Sequence, residues 1–389
     1  MTQLETLIQT LCPNGVKRYK LKEIAELKRG VVISKDYINE HAGEYPVYSS
    51  QTENNGCLGY IDTYAYDGTY LTWTTDGANA GTVFYREGKF NITNVCGLVI
   101  VTNPQISVKY LYYILSITAP KYVNRGMGNP KLMSNVMQEL QIPLPPLAVQ
   151  SEIVRILDKF TLYKSELAAE LAARLQQYEY YRDQLLTFDD TVKYKKLGEV
   201  CHFQNGFSFQ SSKFEKAGSP ILRITNIKDR QIDDDSLVFF NPNDYKENLE
   251  AYKVIPNRIV VAMSGATTGK IGINKSDNTY YLNQRVGMFV PNETILNNQY
   301  LYHFLSSKSN ELYMMAGGGA QPNLSSKAVC EKLLIPLPPL SEQVRIVSIL
   351  DRFDKLCHDI REGLPAEIDL RQKQYEHYRD KLLTFEAKG

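Results

Sequence analysis

The sequence is poor in the residues that build metal centres and disulfide frameworks. Its 389 residues include six scattered cysteines, with no C-x-x-C pair, and five dispersed histidines. A chain of this length needs no disulfides to hold a core, so we expect reduced cysteines, a cytoplasmic location and no metal site. No apolar run approaches the roughly 20 residues of a membrane span. The N-terminal residues lack the basic lead and the cleavage site of a secretory signal.

Several enzyme motifs are missing as well. Methylation of adenine or cytosine needs an Asn/Asp-Pro-Pro-Tyr/Phe loop, but Asn129-Pro130 is followed by Lys131-Leu132. No H-E-x-x-H, G-x-S-x-G or nuclease-like acid–lysine cluster occurs. Residues 264–271 (SGATTGKI) resemble the phosphate-binding loop G-x-x-x-x-G-K-[ST], but they are one residue short and end in Ile instead of a hydroxyl residue. We therefore expect no catalysis by this chain, and nucleotide binding at Lys270 is a distant alternative.

Charge is distributed by segment, although the net charge is only +1. Residues 15–147 carry 13 Lys/Arg and 11 Asp/Glu (+2), and residues 191–340 carry 17 and 13 (+4). Residues 148–190 carry 5 and 8 (−3), and residues 341–389 carry 9 and 10 (−1). Binding of a polyanion is therefore expected to be modest and confined to the two basic segments.

The chain contains an internal duplication. The sequence IPLPPL occurs at 142–147 and at 335–340, and IVRILDKF at 153–160 is matched by RIVSILDRF at 345–353. The segment QYEYYRDQLLTF begins at Gln177, and QYEHYRDKLLTF, which is identical at ten of twelve positions, begins at Gln374. The preceding globular segments match more loosely. The pattern predicts a globular part followed by a helix, repeated once.

The segments after the prolines are predicted to be long helices with a coiled-coil stripe. Apolar residues are spaced 3-4-3-4 in both copies; they are Ile153, Ile156, Phe160, Tyr163 and Leu167, and then Ile346, Ile349, Phe353, Leu356 and Ile360. We expect the two helices to bury these stripes against each other in antiparallel fashion, with Tyr178, Arg182 and Asp183 on the exposed side. The alternative is a surface helix on its own globular domain. The Gly363-Leu364-Pro365 sequence is expected to kink or break the second helix.

The globular segments read as mixed α and β structure. Strands are predicted at 68–75, 82–85, 96–101, 258–263 and 286–291, and short helices at 110–116 and 300–307. Each segment has two Gly-rich polar loops at matching places, the first at 76–83 and 264–271 and the second at 124–131 and 317–323. Glycine lets a backbone approach a phosphate, and Arg, Asn and Gln reach base edges, so we favour DNA contact over an ordinary flexible turn.

Taken together, these motifs resemble the specificity subunits of Type I restriction-modification systems. The resemblance rests on IPLPPLxxQ at 142–150, IPLPPLSEQ at 335–343, the ILD[KR]F helix starts and the twin QYExYRDxLLTF ends. It covers essentially the whole chain. It implies an α+β protein with two mixed α/β target recognition domains, separated by two long antiparallel coiled-coil helices, and an internal two-fold repeat. The domains would be an N-terminal helix at 1–14, recognition domains at 15–147 and 191–340, and spacer helices at 148–190 and 341–389.

The resemblance also implies a function and partners. Each recognition domain would read one half of a bipartite, asymmetric target in double-stranded DNA. The helices would set the gap and dock two methyltransferase subunits. Methyltransferases would use S-adenosylmethionine, and restriction–translocase subunits, where present, would use ATP and Mg²⁺, so this chain would hold no cofactor. The rival hypothesis is a non-catalytic coiled-coil interaction scaffold without a DNA role.

Candidate site residues follow from the loops and from the repeated helix ends. The DNA-binding candidates are Thr74, Thr75, Asn79, Arg125, Asn129, Lys131, Ser264, Thr267, Thr268, Lys270, Arg285, Gln321 and Asn323. The partner-docking candidates are Tyr178, Tyr181, Arg182, Asp183, Tyr375, Tyr378, Arg379 and Asp380.

Overall fold

A computed structural model describes residues 2–126, 128–228, 230–317, 322–358 and 363–386. The chain divides into two compact units. Unit 1 comprises Met1–Ser165 and Leu370–Gly389, and unit 2 comprises Glu166–Asp369. Unit 1 is therefore formed by two separate stretches of the chain, one N-terminal and one C-terminal, and unit 2 is formed by the single stretch between them.

Unit 1 begins with a capped helix. The Thr2 hydroxyl accepts a hydrogen bond from the Glu5 backbone N–H, and the Glu5 carboxylate accepts one from the Thr2 N–H, which forms a capping box. The elements of this part of the chain are α1 (Gln3–Leu11), β1 (Arg18–Lys20), α2 (Leu21–Ile24), β2 (Ala25–Arg29), α3 (Lys35–Glu40), β3 (Ala42–Tyr48), β4 (Cys57–Ile61), β5 (Tyr66–Thr74), β6 (Val83–Ile92), β7 (Cys96–Val101), α4 (Val108–Thr118), α5 (Ser134–Met137) and β8 (Gln141–Pro143).

A six-stranded sheet in the order β2-β7-β5-β6-β3-β4 forms the body of unit 1. Neighbouring strands are antiparallel except β3 and β6, which are parallel. The centre of the sheet is tightly packed, because a Cβ atom at Gly97 would lie 2.3 Å from the buried Trp73 ring. The strands predicted at 68–75 and 96–101 and the helix predicted at 110–116 are confirmed as β5, β7 and α4.

Unit 2 repeats this plan with shorter strands. The elements of unit 2 are α7 (Leu197–Val200), α8 (Asn298–Ser307), α9 (Ser309–Met315), α10 (Ser326–Lys332), β9 (Tyr194–Lys196), β10 (Cys201–Asn205), β11 (Ser219–Leu222), β12 (Ile227–Lys228), β13 (Gln231–Ile232), β14 (Val238–Phe240), β15 (Lys253–Val254), β16 (Ile259–Ala262), β17 (Ile271–Ile273), β18 (Tyr280–Leu282), β19 (Val286–Pro291) and β20 (Leu334–Pro336). A six-stranded sheet has the order β10-β19-β16-β17-β13-β12, and a second sheet has the order β14-β11-β18-β15.

Buried polar contacts show the duplication more clearly than the sequence does. The Tyr110 hydroxyl donates to the Pro143 carbonyl at 3.0 Å, and the Tyr300 hydroxyl donates to Pro336 at 3.1 Å. Each Q in the two IPLPPLxxQ motifs is fully buried and accepts a hydrogen bond from the N-cap residue of an earlier helix in its own unit, α4 in unit 1 and α8 in unit 2. The Gln150 side-chain oxygen accepts from Ser107 N–H at 2.9 Å, and that of Gln343 accepts from Asn297 N–H at 2.8 Å. Identical prolines and glutamines therefore fix identical joints between each domain and its helix.

Three helical segments follow the prolines. They are α6 (Leu147–Leu185), α11 (Leu340–His358) and α12 (Leu364–Leu382). Gly363 accepts the first backbone bond of α12 from the Glu367 N–H, so the predicted interruption at Gly363 is confirmed. Pro365 occupies the first turn of α12, where proline is tolerated. Among the described residues, no helix is both long and apolar enough to span a membrane.

Antiparallel pairing of the helices occurs inside each unit. In unit 1 the ring centroids of Phe160 and Tyr378 are 5.5 Å apart, and the Lys164 ammonium lies 5.0 Å from the Tyr375 ring. Moving forward along α6 therefore moves backward along α12. In unit 2 the Tyr181 ring stacks on Phe353 at 5.7 Å, and the Tyr178 ring lies 5.6 Å from His358, so α6 and α11 also run in opposite directions.

The predicted coiled-coil stripe is only partly correct. Ile153 and Ile346 are buried in the cores of their own units and do not form a seam between helices. Tyr163 and Leu356 remain 45% and 37% exposed, and Ile360 lies outside the described residues. The start of each helix thus packs on its own globular domain, as the alternative prediction held, and helix pairing begins at the Phe of each ILD[KR]F motif.

Candidate nucleic-acid interface

The two Gly-rich loops of unit 1 join through their backbones. The first loop connects β5 to β6, and the second precedes α5. Gly77 N–H donates to the Pro130 carbonyl at 3.1 Å, and Leu132 N–H donates to Thr75 at 2.8 Å. The buried Trp73 indole fixes the second loop further, because its N–H donates to the Leu132 carbonyl at 3.0 Å. The two loops therefore form one surface.

The loops of unit 2 join in the same way. Gly265 N–H donates to the Pro322 carbonyl at 3.4 Å, and Leu324 N–H donates to Met263 at 2.7 Å. Residues equivalent in the duplication thus make equivalent bonds. Glycine is required at the start of each first loop, because Gly77 has φ 95° and Gly265 has φ 77°. The loops of the two units therefore share one backbone geometry, although their sequences match only loosely.

Seven of the thirteen predicted DNA-binding side chains are exposed, and six of these seven lie on the joined loops. The six are Asn79, Arg125, Asn129 and Lys131 in unit 1, and Lys270 and Asn323 in unit 2. Arg285 is exposed in the turn between β18 and β19, and its carbonyl accepts from the Met263 N–H at 2.9 Å. Gln321 lies outside the described residues. Exposed amides and cations can reach base edges and phosphates without rearrangement of the core. Their roles in DNA binding stay predictions.

Three of the threonines predicted to bind DNA are buried and are not on the exposed side of the loops. Thr74 and Thr75 are each 1% exposed, and Thr268 is 5% exposed. Their hydroxyls donate to backbone carbonyls at 2.6 Å for Thr74 and Asn79, 2.8 Å for Thr75 and Val95, and 2.7 Å for Thr268 and Gly265. These side chains shape the loops from inside, so they have no surface to offer to DNA. The strand-end position of a threonine does not reveal which way it points.

Ser264 and Thr267 are intermediate cases. Both are half-buried on the first loop of unit 2, and neither hydroxyl has a hydrogen-bond partner in the described part of the chain. A shielded hydroxyl without a partner costs free energy unless a ligand or water satisfies it. These two positions therefore remain candidates for contact with an acceptor brought by a ligand.

Sequence reasoning missed a third segment at the same surface of unit 1, residues 50–56. The Ser50 hydroxyl donates to the Asp76 carboxylate at 2.8 Å, and the Asn79 amide donates to the Thr52 hydroxyl at 2.7 Å. The signal that could have identified it is the Asn54-Asn55-Gly56 sequence, which is typical of backbone with positive φ. This segment has no close sequence match in unit 2.

The repeated helix ends present two matched surfaces, one in each unit. Tyr181 and Tyr378 are 41% and 43% exposed, and each is stacked on the Phe of an ILD[KR]F motif. The next two residues form the same ion pair in both copies, Arg182 with Asp183 and Arg379 with Asp380, each with an Nε–Oδ1 distance of 2.9 Å. Both carboxylates remain exposed, so each repeat displays an aromatic ring beside an acid.

Tyr178 is a correction to the docking prediction, because it is 1% exposed rather than on the outer face. Its hydroxyl is 3.2 Å from His303 Nδ1, and the Arg230 guanidinium lies 4.8 Å from its ring. Burial raises the pKa of Tyr178 to about 12. Tyr375, its counterpart in unit 1, is half-buried against the core, and burial raises its pKa as well. Tyr178 therefore anchors α6 to unit 2, and Tyr375 anchors α12 to unit 1.

Comparison with known proteins identifies the family. The family model described as "Type I restriction modification DNA specificity domain" matches residues 13–177 and again 189–370. This chain belongs to that family. The first match ends at residue 177, where the first repeated helix end begins, and the second match ends at residue 370, just before the second repeated helix end begins at Gln374. In the described residues, no group of three His, Cys, Asp or Glu side chains is placed to hold a metal ion.

Relatives agree with this membership over the whole chain. A Mycoplasma pneumoniae protein named as type I specificity subunit S.MpnORF507P is 32% identical over 374 residues, which cover 95% of this chain and 98% of that protein. The specificity subunit of the Escherichia coli type I restriction enzyme EcoR124I/EcoR124II is 39% identical over 294 residues, which cover 72% of this chain and 71% of that subunit.

The fold is also that of solved members of the specificity family. The crystal structure of a Type I restriction-modification S subunit from M. genitalium superposes with a TM-score of 0.58 at 17% identity, covering 94% of both chains. A chain from a structure of type I system assembly gives the same TM-score at 15% identity, covering 95% of this chain and 98% of that one. At these identities the likeness establishes the fold.

Proposed function

We propose that each unit of this specificity subunit reads one half of a bipartite, asymmetric DNA target. The observation that carries this proposal is the equivalent pair of joined loops in units 1 and 2. Each pair displays exposed amides and cations on a rigid backbone platform, which suits contact with phosphates and base edges. The platforms share their geometry but differ in side chains, so the two half-sites differ.

The paired helices set the gap between the half-sites and dock two methyltransferase subunits. Duplicated Tyr–Phe stacks and Arg–Asp pairs support this proposal, because two copies of one partner need two equivalent surfaces. The near-identity of the repeats contrasts with the divergence of the globular parts. Selection for a common partner at one surface and for different DNA at the other accounts for that contrast.

Catalysis resides in the partners. The methyltransferases bind S-adenosylmethionine and methylate adenine, and restriction–translocase subunits, where present, use ATP and Mg²⁺ to move along and cleave unmodified DNA. The relative from Escherichia coli is named as a subunit of a type I restriction enzyme, which supports such an assembly. This chain supplies recognition and spacing, and no cofactor binds to it. Family membership favours this function over an interaction scaffold without a DNA role.

A gel shift with the partner methyltransferase tests the proposal. Because the globular segments carry only +2 and +4, the chain alone should bind DNA weakly, and sequence-specific binding should require the methyltransferase. Nanomolar specific binding by the isolated chain at physiological salt would contradict the proposed division of labour. The absence of specific binding by the complex would contradict the DNA role itself.

Two loop lysines can be tested by salt titration of the same complex. Lys131→Ala and Lys270→Ala should each lower the slope of log K against log salt by about 1 if these lysines contact phosphates. Lys216→Ala is the matched control, because Lys216 is exposed but lies outside both loops. An equal slope for all three variants and the wild type would remove these lysines from the interface.

A further inference from the structure

A buried arginine without an acid lies beneath the surface of unit 1. Arg86 is 2% exposed, its Nε donates to the Thr72 hydroxyl at 3.1 Å, and it forms no salt bridge within the described residues. Burial lowers its pKa, yet a guanidinium stays charged in proteins. The Tyr48 and Phe84 rings, 3.5 and 4.4 Å from its central carbon, stabilise the cation. A buried charge without an ion-pair partner lowers the stability of the fold, so we expect Arg86 to have a specific role.

The guanidinium holds the loop formed by residues 52–56. Arg86 Nη2 donates to the Asn55 carbonyl at 2.9 Å. Gly56 has φ 77°, and a Cβ atom there would lie 3.0 Å from Nη2. The Asn79 amide holds the other end of the loop through Thr52 at 2.7 Å. The 52–56 loop is therefore fixed from below and tied to the first Gly-rich loop.

This loop exposes two successive asparagines whose backbones are in the left-handed conformation. Asn54 and Asn55 have φ values of 47° and 52°, the left-handed region, which asparagine adopts more often than most residues other than glycine. Both are exposed, and neither carboxamide has a hydrogen bond in the described part of the chain. Two successive left-handed residues persist only where the surroundings enforce them.

The free carboxamides match the chemistry of base recognition. An asparagine side chain forms a bidentate pair with N6 and N7 of adenine. The exposed Glu53 carboxylate on the same loop would be repelled by phosphate, which favours base edges over the DNA backbone as the target of this loop. The charge of Arg86 beneath the loop partly offsets that repulsion at the approach of a polyanion.

We propose that the 52–56 loop reads base edges in the half-site of unit 1, with Asn54 and Asn55 as contact residues and Arg86 as their positioning residue. This inference rests on the proposed function. Unit 2 carries a different segment at the equivalent place: Thr93 N–H donates to Tyr48 at 2.9 Å in unit 1, and Asn283 N–H donates to Leu222 at 3.1 Å in unit 2. The residues after Tyr48 and after Leu222 differ, as the two half-sites would.

The test is the methylation motif of cells carrying the complex with altered loops. Asn54→Gly and Asn55→Gly remove the side chains but keep a residue that accepts positive φ. Each variant should accept additional bases at one or two positions of a single half-site, and it should leave the other half-site and the gap unchanged. Arg86→Lys keeps the charge but loses the bond to Asn55, and it should broaden the same positions. A purely structural role would lower methylation without changing the motif.

The matched control is Asn14→Gly, an exposed asparagine in a turn of the same unit, which should leave the motif unchanged. Binding of the purified complex to duplexes with single base changes provides a second readout if methylation falls too low. Wild type should prefer the cognate base on the order of 10- to 100-fold, and the Gly variants should lose that preference. Variants that keep the wild-type preference would overturn the loop assignment. Absence of any two-part motif in the wild type would instead overturn the proposed function.

Discussion

The ring of Tyr181 stacks on the ring of Phe353 with centroids 5.7 Å apart and planes 26° from parallel. The same pair recurs in unit 1, where Phe160 and Tyr378 are 5.5 Å apart at 24°. Each stack joins the Tyr of one repeated motif to the Phe of another. The same contact therefore links the two duplicated motifs in both units.

Replacing both members of the unit 2 stack tests its contribution to stability. Tyr181→Leu and Phe353→Leu should each destabilise the protein, and the double-mutant cycle should give a coupling of about 1 kcal/mol, since stacked aromatic pairs contribute about 0.5–1.5 kcal/mol beyond burial. Urea unfolding of the four proteins gives this quantity. The pair Tyr194→Leu and Phe353→Leu is the control. Additive effects of Tyr181 and Phe353 would show that the stack is incidental.

Asp354 should be the most sensitive acid of unit 2. It is 4% exposed and lies 3.0 Å from Arg230, 3.1 Å from Lys275 and 3.3 Å from His358. Removing one partner of a buried ion pair costs about 3–5 kcal/mol. Asp354→Asn should therefore lower the free energy of unfolding by about 3 kcal/mol near neutral pH. Asp277→Asn, at an exposed acid, should change it by less than about 0.5 kcal/mol.

The effect of Asp354 should depend on pH. Burial alone would raise its pKa, but the interaction with His358 and the charges of Arg230 and Lys275 lower it below the ordinary value. A lowered folded-state pKa gives stability that is complete above the unfolded pKa of about 4 and is lost as pH falls further. The difference between wild type and Asp354→Asn should therefore be present from pH 7 to 5 and shrink below about pH 4. A difference that keeps growing as the pH falls below about 4 would contradict the lowered pKa.

Each repeated helix end should dock one methyltransferase. Asp183→Lys and Asp380→Lys each reverse an exposed charge beside a stacked tyrosine, and either should weaken one docking surface roughly tenfold or more. Native mass spectrometry should show complexes with one methyltransferase for each single variant and none for the double variant. Glu166→Lys, an exposed reversal outside both repeats, is the control. Two bound copies on the double variant would place docking elsewhere.

Helix length should set the gap in the DNA target. Duplicating residues 168–171 adds four residues, or about 6 Å of helix, against roughly 3.4 Å per base pair. We expect the gap to grow by one or two base pairs while both half-sites stay the same. A variant that folds and methylates with an unchanged gap would refute the role of the helices as a ruler.

Repetition made the architecture predictable from sequence. The prolines, the ILD[KR]F motifs and the repeated helix ends each fix a local structure, and glycine at equivalent positions marked both loops. Gly363 likewise signalled the break before α12, because glycine and proline act through the backbone. Such signals are read from residue type alone.

Side-chain direction was not predictable in the same way. The stripe that begins at Ile153 satisfies coiled-coil spacing, yet tertiary packing divides it between the globular core and the other helix. Tyr178 and Tyr181 are both polar aromatics three residues apart, and only the fold shows that one is buried and the other exposed. Thr75 and Arg86 are likewise polar residues whose buried side chains bond to partners distant in sequence, Val95 for Thr75 and Asn55 for Arg86.

Single-molecule methylome sequencing of cells with and without this chain tests the central claim most directly, provided that the partner methyltransferase is present in both. We expect methyladenine in a two-part motif, with two different half-sites at a fixed gap, only where the chain is expressed. Methylation that is independent of the chain, or confined to one contiguous motif, would contradict recognition by two matched units.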